Sequence, residues 1–244
     1  MNNVLNPSRF KYFRLARSMM DIADCRDLRQ VQALVYMILF LQASAKLSTC
    51  YAYIGVALRS AVRMGLHRSF ADACFSPIEA ESRKRLFWVI QRMDTYVGAL
   101  LGLPHSLSED DIDQEYPTEV DDQYITETGI LPQPEGVPAL ISGANAHAKL
   151  VQILDKIVRY VYPLKATNAA QGDVKSYSVS YAKILEIERD LKNWQDELPM
   201  GLKPGGDAPP PIIRYVAPPS RSRLLRLIII GCNICSEWPT LTLK

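Results

Sequence analysis

The stretch SPIEAESRKRLFWVIQRMDTYVGALLGLP, residues 76–104, decides the fold class. Ser76 is a preferred N-cap residue, Pro77 suits the first helical position, and Glu79 stands where a capping box needs an acid. Leu86, Ile90, Met93, Val97 and Leu100 follow at alternating four- and three-residue spacing, which places one apolar face on a helix. Glu79 and Glu81 precede Arg83 and Arg85 by one helical turn, the favourable orientation for surface ion pairs. Gly102 and Pro104 then stop the helix.

The same period continues in both directions. Residues 10–25 and 28–45 read as two helices, the second apolar on most sides and so expected at the centre. Ile54, Leu58, Ala61 and Val62 mark a third, ending at Gly65. Downstream, Leu150, Leu154, Ile157 and Val161 form a stripe that ends at Pro163. Ile184, Ile187, Leu191, Trp194 and Leu198 form another, which ends at Pro199. No strand alternation and no fixed-period repeat stands out. The expected fold is all-α, a multi-helix array of antiparallel helices around one core, without a sheet. Residues 131–138 read as a short Pro-rich connection and residues 199–219 as a Pro/Gly-rich linker.

Composition excludes several classes. The 244 residues are 48% hydrophobic and 22% charged, ordinary for a globular protein with a substantial core. A net charge of +2 is too small for nucleic-acid binding by bulk electrostatics. The most apolar run, residues 33–41, is far below the ~20 residues of a membrane span, so no membrane is expected as a partner. The N-terminus lacks the apolar stretch of a signal peptide, which argues against secretion. Five scattered cysteines fit reduced thiols better than a disulfide framework. Cys232 and Cys235 form a Cys-x-x-Cys pair, but no second pair or histidine cluster completes a zinc site.

Three local features invite a chemical reading. Arg83, Lys84 and Arg85 form the densest basic cluster, expected to be a solvated face or a set of intramolecular ion pairs. His67, directly after a helix end, is expected to interact with the last carbonyls and the helix dipole. The acids Glu109, Asp110, Asp111, Asp113 and Glu115 raise the one enzyme rival, a magnesium-dependent all-α prenyl diphosphate cyclase holding metal through Asp110, Asp111 and Asp113. Their position after Ser108 and before Pro117 fits the start of a short helix instead, and no second metal motif follows. Phosphate loops, dinucleotide fingerprints and nucleophile elbows are absent, so no enzyme is expected.

Six elements occur in order: Tyr51 to Ala61, Met64 to Arg68, Glu81 to Trp88, Met93 to Tyr96, Gly102 to Pro104 and Asp110 to Asp113. Their order and spacing resemble the middle homology region of fungal zinc-cluster transcription regulators, most closely the xylanolytic-activator type. The resemblance is clearest over residues 28–117. It implies a helical regulatory core at 27–130, preceded by a lead-in helix within 1–26. Further helices of the same domain would lie at 131–198, and a last helix at 220–244, expected to be cut short.

The signature it implies is architectural: Gly65, Leu66, His67, Arg68, Arg83, Arg85, Trp88, Asp94, Gly102, Pro104, Asp111 and Asp113. Trp88 would lie in the core, and Asp94 would pair with a cation, Arg59 or Arg63. The family reads DNA through six closely spaced cysteines that hold two zinc ions, and this pattern is missing here. DNA and zinc would therefore belong to a separate module. The resemblance further implies control of transcription by RNA polymerase II in the nucleus, through a small-molecule inducer, co-regulator proteins or a homodimer. The rival within the binding class is a scaffold or dominant-negative partner that never touches DNA.

Overall fold

The structure, a computed structural model, describes residues 7–69, 74–104, 106–161, 180–198 and 203. The expected linker at 199–219 (Lys203 apart), the expected helix at 220–244, and Pro163, Cys232 and Cys235 all lie outside the described residues. The chain divides into two compact units, Met1–Ile141 and Ser142–Lys244.

The first unit holds α1 (Pro7–Ser18), α2 (Leu28–Ala43), α3 (Leu47–Arg63) and α4 (Pro77–Leu101). Helix α1 is shorter than the periodicity implied. Asp21 accepts a hydrogen bond from the Ala23 amide and starts a separate 3-10 turn, Ile22–Asp24. Asp27 and Gln30 then form a reciprocal capping box that opens α2. Two caps in seven residues leave no room for one continuous helix. Only three residues separate α2 from α3, with Ala45 in the left-handed region at φ 54°, so the two helices form an antiparallel hairpin.

Helix α4 is bounded as its sequence dictates. Ser76 Oγ accepts from the Glu79 amide at 3.4 Å, and Pro77 takes the first turn. At the far end Gly102, φ 67°, and Leu103 return their amides to Ala99 and Gly98. Helix α3 packs against both α2 and α4. The core between them includes Leu34, Ile38, Leu41, Ile54, Phe87, Ile90 and Val97, all essentially inaccessible to solvent. Each such side chain contributes about 1.5–3 kcal/mol by leaving water. The most enclosed helix is α4 rather than α2: it buries polar Glu81, Arg83, Gln91, Arg92, Asp94 and Thr95 as well as apolar residues, whereas Tyr36 of α2 is exposed.

The expectation of an entirely sheet-free fold needs one correction. Ile125–Thr126 (β1) and Gly129–Ile130 (β2) pair antiparallel, with Thr126 Oγ1 bonded to both backbone groups of Gly129. Strands of two residues are too short to show alternation, so the largely all-α reading stands with this hairpin added.

The second unit is described through α5 (Leu140–Val161), which starts at its edge, and α6 (Tyr181–Glu197). Trp194 Nε1 donates to the Ala146 carbonyl at 2.7 Å. Lys156 bridges Glu186 and Asp190, each at 2.6 Å, and Tyr160 donates to Glu186. Rising numbers on α5 meet falling numbers on α6, so the pair is antiparallel. Of the expected stripes, Leu150, Ile157, Ile187 and Leu198 are buried, while Ile184 is exposed.

Candidate functional site

Helix α4 leaves its C-terminus at Gly102, and the chain then turns back along it. Residues 106–124 form a strap held to α4 at successive levels. Asp94 accepts from the Ser106 amide and hydroxyl at 2.6 and 3.1 Å. Trp88 donates its indole N–H to the Glu115 carbonyl at 2.7 Å and stacks on Tyr116 with ring centroids 4.2 Å apart. Lys84 pairs with Glu115 at 3.0 Å. Glu81 accepts from the Thr118 amide at 3.1 Å, and Arg85 donates to the Val120 carbonyl and to Asp122.

Positions along α4 fall from 94 to 81 as strap positions rise from 106 to 118, so the two run antiparallel. Thirteen helical steps cover about 20 Å, whereas an extended segment of similar length would overshoot to ~40 Å. The 3-10 turn Glu109–Asp111 takes up part of the excess. Ser108 and Asp111 cap it reciprocally, the Ser108 amide reaching the Asp111 carboxylate at 3.3 Å.

The strap also closes on the end of α3. Gly65, φ 73°, terminates that helix, and the Leu66 amide returns to the Ala61 carbonyl. Asp113 donates its amide to the His67 carbonyl, accepts from the Ser69 amide at 2.9 Å and pairs with Arg68 at 3.2 Å. Buried Gln114 donates to the carbonyls of Leu66 and Arg68. The tethers thus include both backbone groups and side chains. Arg83 turns to the same corner, giving Nη2 to the Met64 carbonyl at 2.7 Å and lying 4.0 Å over the Phe75 ring. Pro104 receives a hydrogen bond from the Tyr51 hydroxyl at 3.0 Å.

Several expected partners differ. Of the two surface pairs drawn from spacing, only Glu81–Arg85 forms, at 3.0 Å, and Glu81 is buried, at 2% exposure. Arg83 is drawn to Met64 and Phe75 because α3 ends there. Arg63, one of the two cations considered for Asp94, reaches Asp24 and the Cys25 carbonyl. For His67 the cap is made by main chain, while its Nδ1 is buried without a hydrogen-bond partner. Burial and the neighbouring Arg68 push its pKa below the usual histidine value.

Sequence reasoning missed Ser106, Gln114, Tyr116 and the second anchor of the strap. There Gln133 bonds Asp121 through both amide ends, and the Leu140 amide also donates to Asp121. The Gln133 hydrogen bond and the Leu140 amide hold the Asp121 carboxyl below its ordinary pKa. No spacing rule links positions this far apart; the aromatic at 116 beside a core tryptophan was the only available hint.

Of the five acids that raised the metal question, Asp111 is engaged with Ser108, Asp113 with Ser69 and Arg68, and Glu115 with Lys84. Among the described residues no three His, Cys, Asp or Glu side chains gather as metal ligands. What the seam does is interlock two helix ends and a strap.

A model of the fungal specific transcription factor domain matches residues 5–196. The chain belongs to this family. The match extends well past the residues 28–117 that carried the motifs. It is 45% identical over 200 residues to Activator of stress genes 1 of Saccharomyces cerevisiae, covering 81% of this chain and 20% of that protein. It is 46% identical over 205 residues to Activator of stress genes protein 1 of Candida albicans, covering 80% and 21%. Transcriptional activator protein acu-15 of Neurospora crassa is 31% identical over 173 residues, covering 71% and 18%. The chain spans about a fifth of the length of these relatives. No solved structure matches it. The family and these relatives are transcription regulators, not enzymes, and the cyclase reading is not favoured. Among the described residues no helix is long and apolar enough to cross a membrane.

Proposed function

We propose that this chain is the non-catalytic regulatory domain of a fungal zinc-cluster transcription regulator, acting in the nucleus on transcription by RNA polymerase II. The family match over residues 5–196 carries the reading. Zinc and base-specific DNA contacts belong, on this reading, to a separate module. The described cysteines do not fit the zinc cluster: Cys25 and Cys50 are buried free thiols, and burial pushes Cys50 up to about 12. Cys74 is exposed and free.

The strap on α4 supports a switching role. Its anchors are hydrogen bonds and ion pairs, many of them on the buried side chains Glu81, Trp88, Asp94 and Gln114, so a ligand or protein that prefers strap-on or strap-off redistributes the two states. A small-molecule inducer, a co-regulator or a second copy of the chain would act through such a difference.

A reporter assay tests this. The chain is placed between a heterologous DNA-binding module and an activation segment in yeast, with abundance checked by immunoblot. Coupling free energies typical of allosteric domains correspond to about 5-fold or more in output. The domain should shift reporter output by at least that, and Arg85→Met should reverse much of the shift. Unchanged output from a folded, nuclear domain refutes the proposal, as does sequence-specific DNA binding by the purified chain alone.

A further inference from the structure

Helix α1 is apolar on two opposite sides. At 100° per residue Phe10 and Phe13 share one side, while Tyr12, Leu15 and Met19 share the other. The inner side is anchored: Phe10 meets Phe40 edge-on at 5.2 Å, Phe13 stacks on Phe40 at 4.9 Å and lies near Tyr53, and Lys46 sits over the Phe10 ring. The outer side is bare, with Tyr12 72%, Leu15 55% and Met19 79% exposed. A helix that carries large apolar side chains on both faces has a second face to cover.

The charges around that bare stripe are of one sign. Lys11, Arg14 and Arg17 are exposed, and no acid occurs before Asp21. None of the three cations forms an ion pair among the described residues. The acids that follow are engaged elsewhere: Asp21 caps the 3-10 turn, Asp24 pairs with Arg26 and Arg63, and Asp27 caps α2.

We propose that the outer face of α1 docks an acidic amphipathic helix of a separate partner protein. Three apolar residues at helical spacing supply the anchors of a helix-on-helix contact, and the basic rim selects acids beside them. A second α1 would bring like charges together. A nucleic-acid backbone would leave Tyr12, Leu15 and Met19 facing phosphates. A stripe spanning about 10 Å offers little apolar area to a lipid surface, where binding scales with that area.

The test uses the full chain and a fluorescein-labelled 20-residue peptide with Leu or Phe at i, i+3 and i+7 and Glu or Asp elsewhere. Its comparison probes are a shuffled peptide of the same composition, a 20-base-pair duplex and phosphatidylserine vesicles. The patterned peptide should bind about 10-fold more tightly than the shuffled one. Leu15→Asn with Met19→Asn, and separately Lys11→Glu with Arg14→Glu, should each weaken it about 10-fold. Raising salt from about 0.05 to 0.5 M should also weaken it, because the rim charges are solvent-exposed. Hydrogen exchange on the unaltered chain should slow in residues 10–19 when peptide is added, a readout that needs no variant. Equal binding of the shuffled peptide overturns the proposal, as does tighter binding of duplex or vesicles. Protection confined to other segments overturns it equally.

Discussion

Replacing Arg85 by Met removes the cation from a carboxylate that has almost no access to water. Glu81 is 2% exposed, with Arg85 Nε at 3.0 Å and the Thr118 amide at 3.1 Å. Methionine keeps much of the apolar stem, so the loss is mainly charge and hydrogen bonds. Breaking a buried pair from one side costs about 3–5 kcal/mol, because the remaining charge is uncompensated. The Asp122 contact adds only ~0–1 kcal/mol, since that carboxylate is 72% exposed. At about 2–4 °C per kcal/mol for a chain of this size, Tm should fall by roughly 6–20 °C. Urea unfolding followed by tryptophan fluorescence reads the stability, and Trp88 lies inside the seam. Amide exchange at Thr118 reads the clamp itself. Glu81→Gln with Arg85→Met should cost ~1–3 kcal/mol less than the sum of the single changes, because no buried charge is stranded. A loss below ~1 kcal/mol for Arg85→Met, or additive costs in the double variant, would refute the buried-pair account.

Three further outcomes follow from the same geometry. Trp88→Phe should keep the stacking on Tyr116 but lose the bond to the Glu115 carbonyl, costing about 1–2 kcal/mol in urea unfolding and loosening residues 115–118 to exchange. Gly102→Ala should cost ~1–2 kcal/mol in thermal unfolding. Its φ is 67° and a Cβ there meets nothing within 4 Å, so the penalty is backbone conformation alone; Gly102→Asn should cost less. Because the folded chain depresses the His67 pKa, the unfolded chain binds that proton first as pH falls below about 6.5. Stability should therefore decline from that point down to the folded-state pKa, and His67→Gln should flatten the slope in pH-dependent urea midpoints. An unchanged slope would place the titration elsewhere.

Most of the helix inventory was legible locally. Ser76, Pro77 and Gly102 bound α4 because capping and left-handed termination depend only on residues within a turn of the end. The heptad-like stripe through Leu86, Ile90 and Val97 identified its buried side for the same reason. Other boundaries were misread where two signals competed. The run from Phe10 to Cys25 keeps a helical look, yet α1 ends at Ser18 and Asp21 takes a cap position that opens a separate 3-10 turn.

The motif positions around 65–68, 81–88 and 110–113 were visible in the sequence, and so was the family they resemble, because both are patterns along the chain. What joins them was not. Arg83 and Arg85 sit two residues apart on one helix. One reaches Met64 and the other Glu81, Val120 and Asp122, according to which backbone lies beside each. Asp94 meets Ser106, twelve positions on, because the chain reverses at Gly102 and runs back over α4. Periodicity and caps are set by neighbours within about four residues, and the sequence alone determined those. Partner choice across 12 to 48 positions depends on how the strap is laid down, and only the tertiary structure decided it.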